Sequence, residues 1–175
     1  TQTIISSVDM IARTSSEFKI LAVAPSEAAA DVLCIRLRES IILGYNEEAK
    51  NFGGEDGSSN EVVLIRVNTF TRYENSVPVV LRRFCYVEGG EVMQFLQAEA
   101  NYSAPDLNLL FARYARVIIV STPTSSGMMW RGTLSPPGFD YIFIDESSQA
   151  MEPELLTPLT LLSKKDYSMI IIAGD

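Results

Sequence analysis

Tyr141-Ile142-Phe143-Ile144-Asp145-Glu146 is a run of four apolar residues that ends in two acids. The run is continuously apolar rather than alternating, which is how a strand covered on both faces reads. Four other runs share that character, so strands are expected at 20–24, 62–67, 117–121, 141–145 and 169–173. Most of them end in small, polar or acidic residues. Together they predict a parallel sheet.

Helical patterns separate these runs. Residues 4–12 carry Ile4, Ile5, Val8 and Ile11 at helical spacing, and 28–43 carry Val32, Ile35, Leu37 and Ile41. Pro105 opens a third helix with Leu107, Leu110, Phe111 and Tyr114 on one face and Ser103 as its cap. A fourth, 153–162, follows the acidic strand end. Strand and helix in alternation predict an α/β fold with right-handed crossovers. The stretch 51–60 (NFGGEDGSSN) reads as an acidic loop. No repeat or boundary divides the chain, so 1–175 is read as one domain. It opens inside a helix and stops just after a strand, which is expected of a piece of a longer protein.

Composition narrows the chemistry. The 175 residues are 47% apolar and 21% charged, as in globular proteins. No apolar run approaches the ~20 residues of a membrane span, and the N-terminus lacks the pattern of a secretory signal. There is no histidine, which removes Ser-His-Asp and Cys-His catalysis and histidine-ligated zinc. Cys34 and Cys85 form no CxxC and read as small apolar residues in a reducing compartment. Catalysis, if present, runs on carboxylates, hydroxyls, Lys, Arg and bound ions.

Net charge is −8, the wrong sign for drawing in a polyanion by bulk attraction. Segment 61–87 runs the other way: Arg66, Arg72, Arg82 and Arg83 against Glu61 and Glu74 give four minus two, or +2. Aromatics Phe70, Tyr73, Phe84 and Tyr86 are interleaved there. Phosphate contact with base stacking is one reading; a solvated face over a hydrophobic core is the other, and is preferred. Trp130, with Met128 and Met129, reads as packing.

In open α/β sheets, ligands lie beyond the carboxyl ends of the strands, where Asp145 and Glu146 fall. An NTPase needs one carboxylate to hold magnesium and a second to polarise the attacking water. Asp175, after Ala173-Gly174, adds a third acid to the same edge. A simple helix-capping role for Asp145 is the alternative.

Asp145-Glu146-Ser147-Ser148-Gln149-Ala150 is similar to the DEAxQ form of motif II in up-frameshift-type superfamily-1 helicases. The continuation Met151-Glu152-Pro153-Glu154 resembles the Moloney leukaemia virus 10-type helicases and their plant silencing-defective relatives. Ile20-Leu21-Ala22-Val23-Ala24-Pro25-Ser26, running to Ala30, Asp31 and Cys34, resembles motif Ia, which contacts the RNA backbone in that family. VNTFTR at 67–72 stands loosely where motif Ib lies. Val117 to Thr122 resembles motif Ic, and Ile171-Ile172-Ala173-Gly174-Asp175 the start of motif III.

The resemblance implies a RecA-like domain, running from the end of Walker A to motif III and incomplete at both ends. It implies an ATP-dependent RNA helicase moving 5′-to-3′ on single-stranded RNA, with ATP as substrate and Mg2+ as cofactor. Implied partners are single-stranded RNA, a second RecA-like domain of the same polypeptide and RNA-silencing proteins, with no membrane. The implied location is the cytoplasm, with ribonucleoprotein granules. Asp145 would hold magnesium and Glu146 would activate water. Thr1, Gln149, Gly174 and Asp175 would join those two at the nucleotide, with Thr1 also toward magnesium. Pro25, Ser26, Thr71, Arg72, Ser121 and Thr122 would line the RNA path.

The sequence departs from the family in three places. Glu27 stands where the family has Asn, setting an anion beside the implied RNA path. Motif III stops before the Gln that senses γ-phosphate. No G-x-x-x-x-G-K-[ST] occurs, and none of Lys19, Lys50, Lys164 or Lys165 follows a glycine. Thr1 is read either as the last residue of such a loop or as an ordinary helix-start threonine. The 175 residues alone are therefore expected to be inactive. Two further readings stay open: a non-catalytic RNA- or protein-binding module derived from such a domain, and an unrelated α/β phosphotransferase with Asp145 and Asp175 as metal ligands.

Overall fold

A computed structural model describes residues 2–15, 17–44, 62–68, 72, 74–85, 115–122 and 138–174. The predicted helix after Pro105, the 51–60 loop, Trp130 and its methionines, and the site candidates Thr1, Thr71 and Asp175 lie outside them.

Five strands form one parallel sheet: β1 (Ile20–Ala24), β2 (Val62–Arg66), β3 (Ala115–Ser121), β4 (Tyr141–Ile144) and β5 (Met169–Ile172). Their order is β2-β3-β1-β4-β5. The runs read from sequence match these strands to within two residues at either end. β1 is central and wholly buried. It pairs Ile20 with both Val117 and Tyr141, and Val23 with both Val120 and Ile144.

Alternation along β1 divides the core. Ile20, Ala22 and Ala24 face one layer with Val117, Ile119, Leu64 and Phe143. Onto this layer pack α1 (Gln2–Thr14), through Ile4, Ile5, Val8 and Ala12, and α2 (Glu27–Gly44), through Ala30, Leu33, Cys34 and Leu37. Positions 4, 8 and 12 recur every four residues, the spacing that keeps one helix face against a sheet. Leu21, Val23, Ile118, Val120, Ile142 and Ile144 face the opposite layer, which takes Leu155 and Leu159 of α3 (Glu152–Leu159). The fold is thus α/β and RecA-like, with helices on both faces. Each buried aliphatic side chain contributes ~1.5–3 kcal/mol against exposure, so these two layers dominate stability.

Two expectations need correction. Val32 was placed on the apolar face of α2 but is exposed; the buried stripe runs through residues 30, 33, 34 and 37, and Val32 falls on the far side. β5 was read as covered on both faces, yet Met169 and Ile172 are exposed. It stands at the end of the strand order, where one strand rather than two flanks it among the described residues.

The amino ends of the strands are tied by Asp140, which is fully buried. Its Oδ2 accepts the Lys19 N–H at 3.0 Å, and its backbone N–H donates to the Lys19 carbonyl at 2.8 Å. Gly138 enters β4 at φ +68°, and a Cβ there would meet the Leu161 carbonyl at 2.8 Å. Only glycine fits that approach. Among the described residues no helix is long and apolar enough to cross a membrane.

Connections fix where a ligand can bind. After β1 the chain travels toward β2 and β3, and then crosses to β4 and β5 on the other side. The neighbours β1 and β4 therefore send their following segments in opposite directions. A crevice opens beyond the carboxyl ends of such a pair.

Candidate functional site

Asp145 follows β4 at that switch point. Its N–H donates to the Val23 carbonyl of β1 at 2.9 Å, continuing the strand pairing by one residue. The residue is only 5% exposed. Glu146 then turns out of the sheet in the left-handed conformation, φ 50° and ψ 42°. This conformation costs an L-residue about 1–2 kcal/mol. Such a cost, carried by one of two adjacent acids at a strand end, marks a candidate site.

A short 3-10 turn, Ser147–Gln149, follows. The Ser147 N–H donates to the Ala173 carbonyl at 3.0 Å, binding the turn to the end of β5. Gly174 lies against it. The structure therefore brings Asp145, Glu146 and Gly174 to one edge, while Gln149 closes the turn and is exposed. The following Met151-Glu152-Pro153-Glu154 is a helix start. The Glu154 carboxylate accepts the Met151 N–H at 3.0 Å, Pro153 occupies the first turn, and both acids lie at the positive end of α3.

The other candidates gather at the carboxyl ends of β1, β2 and β3. Ser26 caps α2, its Oγ accepting the Ala29 N–H at 3.2 Å, and Pro25 is half-buried beside it. Thr122 is buried and donates to the Ala24 carbonyl at 3.1 Å. Ser121 is also buried and donates to Glu27 Oε1 at 2.5 Å.

Arg72 belongs to a four-membered ionic network. Its Nη2 meets Asp31 Oδ2 at 2.6 Å, and its Nη1 meets Asp31 Oδ1 at 2.8 Å, Asn68 Oδ1 at 2.9 Å and Glu27 Oε2 at 3.3 Å. Arg66, fully buried, donates from Nη2 to Glu27 Oε2 at 2.7 Å and from Nε to Asp31 Oδ1 at 3.1 Å. It also donates to the carbonyls of Val67 and Glu27. The hydrogen bond Arg72 donates to Asp31, more than any other contact, raises the Arg72 pKa above the usual arginine value. Burial raises the thiols of Cys34 and Cys85 beneath this network, so both stay protonated and pack as apolar residues.

This differs from the solvated face preferred for segment 61–87. Arg66 ends β2, and two carboxylates one helical turn apart on α2 hold it inside. Sequence reasoning did not assign Arg66 and Asp31 to the site. The signal was present: Glu27 and Asp31 are spaced i, i+4, on one face of a helix.

A family model described as AAA domain matches residues 111–175. RNA helicase Mov10l1 of Homo sapiens is 31% identical over 176 residues, covering all of this chain and 12% of its own length. Its Mus musculus counterpart is 28% identical over 175 residues, with the same coverage. mov-10-B.1 of Danio rerio is 25% identical over 175 residues, covering all of this chain and 14% of its own length. Over its whole length the chain is thus similar to helicases of the Mov10 kind. It spans about an eighth of the length of these relatives. The stretch that resembles motif II is the β4 exit at Asp145-Glu146, and those that resemble motifs Ia and Ic are the adjoining ends of β1 and β3.

Proposed function

We propose that this chain supplies the hydrolytic edge and the RNA-facing edge of the first motor domain of an ATP-dependent RNA helicase. The reading rests on one observation above others: Asp145 and Glu146 leave β4 together at the switch point, Asp145 pinned to β1 and Glu146 turned out of the sheet. Relatives that match the whole chain carry the name RNA helicase.

Magnesium asks for one or two protein carboxylates when phosphate oxygens and water complete its shell. Asp145 suits that demand, and among the described residues no group of three or more acidic or thiol ligands forms a closed cage. When bound, the ion would neutralise charge developing on the transferred phosphoryl group. Glu146 accepts the proton of the attacking water and orients it. Ser147, Gln149 and Gly174 shape the turn around the nucleotide. Pro25, Ser26, Ser121, Thr122 and Arg72 form the edge facing RNA. Movement 5′-to-3′ on single-stranded RNA, a second RecA-like domain, a role in RNA silencing, and a cytoplasmic or ribonucleoprotein-granule location belong to the same proposal. They are supported by family resemblance alone.

The test is Glu146→Gln in the complete polypeptide. RNA-stimulated ATP hydrolysis falls by about 10²–10⁴, the share a positioned base supplies, while ATP binding is retained. Hydrolysis within twofold of wild type would remove Glu146 from the chemistry and leave a binding module.

A further inference from the structure

Glu27 occupies an unusual place for an anion. It is the first residue of α2, at the carboxyl end of β1, and its side chain remains 27% exposed. Beneath it lie two donors of the kind that grip a nucleic-acid backbone, a serine hydroxyl and a guanidinium. Ser121 Oγ donates to its Oε1 at 2.5 Å, and Arg72 Nη1 lies 3.3 Å from its Oε2. Ser121 is buried under it, and Arg72 is 12% exposed. Arg66 and Arg72 against Glu27 and Asp31 sum to zero charge. Without the Glu27 carboxylate the same cluster would carry +1.

We propose that Glu27 is a specificity-determining residue whose carboxylate takes the position of a backbone phosphate against Ser121 and Arg72, and so weakens the grip on RNA at this edge. The inference rests on the RNA-facing reading above. A phosphate approaching here meets a like charge and finds two of its donors engaged. Neutralising Glu27 converts the edge to a cationic one and frees a phosphate contact. The network also spans β1, β2 and β3, so Glu27 sets the charge of three strand ends at once.

The experiment compares the complete polypeptide with its Glu27→Gln variant, binding a short single-stranded oligouridylate between about 50 and 200 mM salt. Glu27→Gln is expected to bind about fivefold more tightly, the scale of one partly exposed charge pair. Its plot of log affinity against log salt should steepen by about 0.7, the increment for one added phosphate contact on a single strand. Wild-type binding with no gain in the variant leaves the RNA reading standing and overturns this proposal. Absence of binding by both proteins overturns the RNA reading, and the proposal with it. Should Glu27→Gln fail to fold by circular dichroism, Glu27→Asn serves as the neutral variant. Unfolding of both would show the carboxylate to be a structural tie and overturn the proposal.

Discussion

The Ser147 N–H donates to the Ala173 carbonyl at 3.0 Å, and this bond holds the turn after the two acids against the end of β5. Its neighbour Gly174 permits the approach. A Cβ at Gly174 would come 2.8 Å from Ser147 Oγ and 3.2 Å from the Ser148 nitrogen. The hydroxyl can rotate away; the backbone nitrogen must shift.

Gly174→Ala should therefore be mild, under about 1 kcal/mol, and Gly174→Val should cost about 1–3 kcal/mol, as overpacking does. Thermal melts of the two variants check the ranking. In the complete polypeptide, ATP turnover of the valine variant should fall more steeply than stability, because on the proposed reading the displaced turn carries the site. Equal stability of valine and alanine variants would show that the turn accommodates the extra bulk.

Glu146 provides a second test, since its conformation opposes its residue type. The left-handed backbone costs about 1–2 kcal/mol, and glycine escapes that cost while losing ~0.5–1 kcal/mol in chain entropy. Glu146→Gly is expected to raise stability by up to about 1 kcal/mol while abolishing turnover in the complete polypeptide. Denaturant midpoints and ATPase rates are the measurements. A clear loss of stability would instead make the Glu146 side chain part of the scaffold.

The amino end of the sheet gives a pH-dependent prediction. Lys165 Nζ lies 2.8 Å from Asp140 Oδ1, and this hydrogen bond, then one to Tyr167, raises the lysine pKa. A raised pKa means the stabilisation is complete below the unfolded-state value of about 10.4, and disappears as pH climbs through the folded value. Lys165→Met should melt slightly below wild type from neutral pH to about pH 10, and the gap should close above that. The effect is small because the lysine side chain is 38% exposed. A gap unchanged at high pH would assign it to packing against Tyr167.

Strands were legible because a parallel sheet buried on both faces leaves continuous apolar runs, and 20–24 matched β1 residue for residue. The Asp145-Glu146 exit was legible for the same reason, since acids stand out after Tyr141–Ile144. Glu146's left-handed turn left no trace, because glutamate has no preference for it. Arg66 was misleading for a reason of distance. Its partners are 35 and 39 residues away in sequence, so no local window holds both charges. Glu27 stood out as an anion in the wrong place, and only the folded chain supplies the arginines and the serine that account for it. Ser26 as a helix cap was within reach of sequence rules.

β1 bonds on one side to β3 and on the other to β4, with Ala24 level with Ser121 and Val23 level with Ile144. The Val23 carbonyl accepts the Asp145 N–H, and two residues later the same chain becomes Pro25 and Ser26. On the function proposed above, fuel and track would hang from a single axle, one strand spacing of about 4.8 Å apart. A slide of β1 along its own direction by even a fraction of a residue would displace both strand ends at once, so gearing between them would need no long transmission.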